Sequence, residues 1–97
     1  MNEQLDNEVK RKAEADRITN SWLHKEAWNV LEMHLFDQFS KTKDNDADVR
    51  ESLYREMKAL TRVKKYYESI ITTGKMAEHQ LSTLEKAARK VKKVINM

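Results

Sequence analysis

The chain has 97 residues with no Cys, no Pro and a single Gly, and 36% of its residues are charged, for a net charge of +3. So short a chain holds at most one domain with a modest core, the lack of Cys excludes disulfides and thiolate metal sites, and the lack of turn-forming Gly and Pro favours long helices with solvated outer faces over a sheet. No run approaches the roughly 18 apolar residues of a membrane span, and the charged stretch 1–17 is unlike a signal peptide, so a cytoplasmic protein without a membrane partner is expected.

The stretch 1–20 is polar. Leu5, Val9 and Ala13 fall four apart, a thin stripe for a helix docked on something else, since a short helix without a packing face is marginal in water. Asn20 or Ser21 then has the side chain of an N-cap. The next helix is expected over 22–41. Leu23, Ala27, Val30, Leu31, Leu35, Gln38 and Phe39 lie on or near one face, and Trp28, Met33 and Phe36 widen it. An apolar arc so broad should touch more than one neighbour. Trp22 and Trp28 are six apart, on different faces, and read as core anchors rather than a stacking platform.

The run SKTKDNDAD at 40–48 contains no large apolar residue. It reads as the loop of a helical hairpin. Asp46 or Asp48 should cap the following helix, and Asp48 with Glu51 has capping-box spacing. From 48 to 95 the chain reads as one long helix, about 70 Å at 1.5 Å per residue.

Its apolar positions Leu60, Val63, Tyr67, Ile70, Gly74, Ala77, Leu81, Leu84, Ala88, Val91 and Ile95 alternate steps of three and four without a slip. That is a heptad seam, which keeps one stripe facing another helix. Thr72, Thr73 and Gly74 are poor helix formers. A loop there would have no reason to keep the seam in phase, so a continuous helix is expected, with Gly74 as the place where a crossing helix comes close. Flanking apolar residues make the stripe too wide for a two-stranded seam. Its start should pack on the 22–41 helix and its later part on other subunits. The fold expected is all-α, a single helical domain of two or three helices ending in the long heptad-patterned one, bundled and oligomeric.

Charge is unevenly distributed. Residues 1–49 carry a net −4 and residues 50–97 a net +7. Arg55, Lys58, Arg62 and Lys65 form a basic track on the back of the long helix, resumed by Lys86, Arg89, Lys90 and Lys93. Such a row can neutralise successive phosphates in a salt-dependent, sequence-tolerant way. It can equally be a solvated outer face, whose final cations suit the negative pole of the helix. Tyr66 and Tyr67 stand beside the track, where aromatics can stack bases, but their seam positions favour packing.

Other chemistry is sparse. His24, His34 and His79 share no metal-ligand spacing, and no Glu stands three before a His as in di-iron bundles. The acidic DNDAD run lacks the Gly and terminal Glu of a calcium loop. There is no nucleophile–base motif and no nucleotide fingerprint, so neither a catalytic residue, a metal nor a cofactor is expected.

The segment Arg50–Leu81, through Arg50-Glu51, Leu53, Leu60, Gly74-Lys75, Ala77 and Leu81, resembles short uncharacterised helical proteins of tailed bacteriophages. The resemblance implies a phage protein of the host cytoplasm or the virion, with a non-enzymatic role in assembly, packaging or host interaction. It transfers no functional residues. The function expected is therefore that of a homo-oligomeric interaction protein, a phage assembly, packaging or adaptor component. Two alternatives stand beside it. One is a packaging subunit binding nucleic acid through the basic face. The other is an inhibitor that binds a host defence protein or an anionic nucleotide signal.

Overall fold

A computed structural model describes residues 2–95, with the side chains of 94 and 95 excepted. The protein is all-α, with three helices among the described residues: α1 (Glu3–Thr19), α2 (Trp22–Ser40) and α3 (Ala47–Ile95). No strand occurs among the described residues. No helix is long and apolar enough to cross a membrane among them.

Local chemistry explains the boundaries. Helix α1 has Glu3 and Asp6 in its first turn and Arg17 in its last, charges that complement the helix dipole. The chain turns at Ser21, whose backbone is extended (φ −61°, ψ 133°) and whose hydroxyl makes no capping bond. The Ser21 carbonyl accepts the first α2 bond, from the Lys25 amide. Without Gly, α2 ends on the Lys41 amide, which donates to the Asp37 and Gln38 carbonyls, and on Thr42, whose amide and hydroxyl both donate to the Phe39 carbonyl, the hydroxyl at 2.7 Å. Asp46 precedes α3, and its carbonyl accepts from the Arg50 amide. Its carboxylate turns back to accept the Lys43 amide at 3.0 Å, so it closes the loop rather than capping the helix. Glu51 does not reach back to Asp48 as a capping box would; it pairs with Arg55 one turn on, at 2.8 Å. Helix α3 runs through Gly74 unbroken.

The chain folds as two compact units, which share α3. One is Arg17–Glu68; the other joins α1 as far as Asp16 to α3 from Ser69 onward.

In the first unit, α2 and the start of α3 form an antiparallel hairpin. His24 meets Tyr67, with ring centroids 5.8 Å apart. Glu32 pairs with Lys64, and Arg50 lies over the Phe39 ring at 4.5 Å. Leu35 and Leu53 are its buried side chains. Trp28, Phe39, Met57 and Leu60 are half-buried around them. The covered line of α2 is thus His24, Trp28, Leu35 and Phe39. This corrects the expected face: Leu23, Ala27, Val30, Leu31 and Gln38 are exposed. Trp22, expected as a core anchor, is 75% exposed. Trp28 keeps that role: its indole N–H donates to His24 Nε2, and the Lys64 ammonium sits over its ring at 5.4 Å.

The second unit is built on small residues. Ala15 and Ala77 are buried, as is Gly74. A Cβ built on Gly74 would lie 2.8 Å from Lys12 Cδ and 2.9 Å from Cγ, and closer still to Lys12 Cβ. Side-chain ends can swing away, but a Cβ moves only with its backbone. Gly74 is therefore what lets α1 approach α3 at that level. The covered stripe of α1 runs through Leu5, Val9, Lys12 and Ala15; Ala13, expected on it, is exposed. A lysine fits there because its methylene stem packs while its ammonium reaches out. It bonds Asp16 at 2.9 Å and Glu78 at 3.3 Å. The hydrogen bond it donates to Asp16, then that to Glu78, raises the Lys12 pKa above its ordinary 10.5.

Candidate interaction surfaces

The seam of α3 divides into covered and uncovered parts. Leu60, Tyr67, Ile70 and Leu81 are half-buried, and Gly74 and Ala77 are buried, all within the chain itself. Val63 is 45% exposed, Leu84 48% and Val91 58%, and Ala88 is exposed too. The side chain of Ile95 lies outside the described residues. The chain's own α1 and α2 thus occupy most of the ridge between Leu60 and Leu81. What is left open is Val63, and then the distal positions Leu84, Ala88 and Val91.

A second apolar surface was not singled out as a site by spacing. On α2, Trp22, Leu23, Val30, Leu31, Met33 and Phe36 are all exposed. Met33 and Phe36 line a shallow open groove with Glu32, Asp37 and Ser40. The breadth of the α2 apolar arc was the signal for this surface. The start of α3 covers one face of α2, and the apolar side chains of α2 extend beyond that face.

Of the basic track, Arg55, Lys58, Arg62 and Lys65 are all exposed. They stand on the side of α3 away from Leu53 and Leu60. Arg55 is paired with Glu51 at 2.8 Å, which leaves its charge partly answered. Lys58 lies over the Tyr54 ring at 4.9 Å. Lys58, Arg62 and Lys65 border an open groove floored by Tyr54, Met57 and Thr61. The aromatic beside the cations is therefore Tyr54, and neither Tyr66 nor Tyr67 lines that groove. Tyr67 instead packs edge-on against His24, and Tyr66 stands edge-on to Tyr67 with centroids 6.2 Å apart. In the other unit, Lys86, Arg89, Lys90 and Lys93 are also exposed along α3.

No group of three or more His, Cys, Asp or Glu that could hold a metal occurs among the described residues. His34 and His79 are exposed and His24 is half-buried. Among the described residues the molecule offers surfaces for interaction: apolar strips on α2 and distal α3, and a cationic groove on the back of α3. No protein-family model, curated protein or solved structure matches the chain.

Proposed function

We propose that the protein is a non-enzymatic interaction protein that acts by associating with further copies of itself. One observation carries this reading. Among the described residues, four apolar side chains are buried and thirteen large ones are exposed. Scattered exposed apolar residues are ordinary, but contiguous strips of them mark interaction sites. A domain this small also gains stability from an added partner surface. The phage resemblance gives the setting: an assembly, packaging or adaptor component working in the host cytoplasm or the virion. Neither a catalytic group nor a cofactor enters the reading.

A second reading is favoured by the groove of Tyr54, Lys58, Arg62 and Lys65. Cations bordering an aromatic suit a polyanion, and nucleic acid is its natural source. Light scattering at two salt concentrations, with and without DNA, tests both readings together. A mass that is a multiple of 11.5 kDa supports self-association. A stable monomer at high micromolar concentration removes it. DNA retention that fades steeply between low and moderate salt supports the second reading; none at low salt removes that one.

A further inference from the structure

The α2–α3 hairpin has two edges, and they differ. Glu32 and Lys64 pair along one of them. The groove of Glu32, Leu35, Met57, Leu60 and Thr61 opens on that same edge. Each residue turns a helix by about 100°. Leu31, one step from Glu32, and Ala27 one turn before it therefore leave the covered line of α2 on the other side. Val63, one step from Lys64, and Ala59 one turn before it do the same on α3. Both pairs share the edge opposite the ion pair. Leu31 is 46% exposed and Val63 45%. Leu23 and Val30 extend the strip along α2, and Tyr66 extends it along α3; all three are exposed. The alanines at 27 and 59, also exposed, keep its middle flat.

We infer that a second copy of the chain packs on this edge, so that two hairpins close a two-fold four-helix bundle in which each α2 rests on its partner's α3. This deepens the self-association reading and rests on it. Charge chooses the occupant and its orientation. Helix α2 carries one Lys against three acids, and α3 from Ala47 to Glu68 carries six Lys and Arg against four acids. A two-fold axis across the helices would lay α2 on α2, acid on acid. An axis along the helices lays each acidic α2 on a basic α3. Such an axis leaves every residue at its own height. The heights are set within one copy by His24 beside Tyr67 and Phe39 beside Arg50. Asp37 on the back of α2 and the partner's Arg55 on the back of α3 then flank the interface within about one turn of height, as do Glu26 and the partner's Arg62. The in-chain pairs of Asp37 with Lys41 and Arg55 with Glu51 are exposed i,i+4 pairs, weak enough to exchange.

The size also fits. Helix α2 spans 19 residues, and at about 1.5 Å rise and about 10 Å width per helix two helices give a footprint of about 550 Å². With side-chain relief this approaches the ~800 Å² per partner of a standard interface.

The experiment is light scattering with circular dichroism on the full chain. The wild type is expected at twice 11.5 kDa. Leu31→Glu and Val63→Glu should each shift it to the monomer with helix content kept. Phe36→Glu, on the other edge, should leave the dimer intact. Asp37→Arg and Arg55→Asp should each weaken dimerisation about tenfold, and the double variant should recover most of it. These last substitutions are on exposed side chains, so they test the interface even if an apolar variant unfolds. A dimer that survives Leu31→Glu and Val63→Glu but is lost in Leu84→Glu or Phe36→Glu overturns the inference and leaves the self-association reading standing. A wild-type monomer overturns both.

Discussion

Adding one methyl group at position 74 tests the close approach of α1 to α3. In an exposed helix, Gly→Ala stabilises by about 1 kcal/mol. At Gly74 the new carbon falls inside van der Waals distance of Lys12 Cβ, Cγ and Cδ. Overpacking of this kind typically costs about 1–3 kcal/mol. Gly74→Ala should therefore be neutral to destabilising by up to about 2 kcal/mol, against the sign of helix propensity. The contact itself is isolated by a double-mutant cycle. In a Lys12→Gly background the obstructing Cβ is gone, so Gly74→Ala should become stabilising by about 1 kcal/mol. Lys12→Ala keeps the Cβ and should relieve little. Urea unfolding followed by helix circular dichroism, at fixed protein concentration, supplies the four midpoints. If Gly74→Ala stabilises equally in both backgrounds, α1 does not approach α3 in this way.

Four further outcomes are expected. Leu35→Ala and Leu53→Ala remove buried side chains and should each cost about 2–5 kcal/mol in urea melts; losses under about 1 kcal/mol would mean the hairpin core is elsewhere. Leu81→Ala should cost more than Leu84→Ala in the dissociated chain, because Leu81 is half-buried and Leu84 exposed; the reverse order in denaturation of dilute protein would contradict that placement. The raised Lys12 pKa stabilises the folded chain below its ordinary value of 10.5 and loses that effect as pH climbs through the folded value. The wild type should therefore lose stability faster than Lys12→Gln in melts taken across that alkaline range; parallel curves would show that the Asp16 and Glu78 bonds contribute nothing. Finally, replacing Lys58, Arg62 and Lys65 with Gln should flatten the salt dependence of DNA retention by about three counterions' worth of slope; an unchanged slope would place the polyanion contact elsewhere.

Periodicity made much of the architecture legible. The polar run after Ser40 marked the hairpin loop, and the unbroken phase of the seam carried α3 through Thr72, Thr73 and Gly74 against their propensity. Which side of α2 is covered was not legible. Its apolar residues nearly encircle it, so spacing alone could not prefer His24, Trp28, Leu35 and Phe39 over Leu23, Ala27, Val30 and Leu31. That choice is made by where α3 lies. The Lys12–Gly74 contact was half legible. A glycine on a seam announces a close approach, but a lysine gives no sign from its own neighbours that its stem will fill the space. On the back of α3, the cations could be counted from the sequence. The groove they border depends on Tyr54, a residue whose ordinary spacing gave no reason to single it out.

The fit of Lys12 over Gly74 also has a hereditary side. The two positions constrain each other: a side chain at 74 meets the Cβ of any residue other than glycine at 12, and shortening 12 removes the ammonium that Asp16 and Glu78 share. Descendants of this gene should therefore alter the two codons as a couple, and a glycine surrendered at one should reappear at the other.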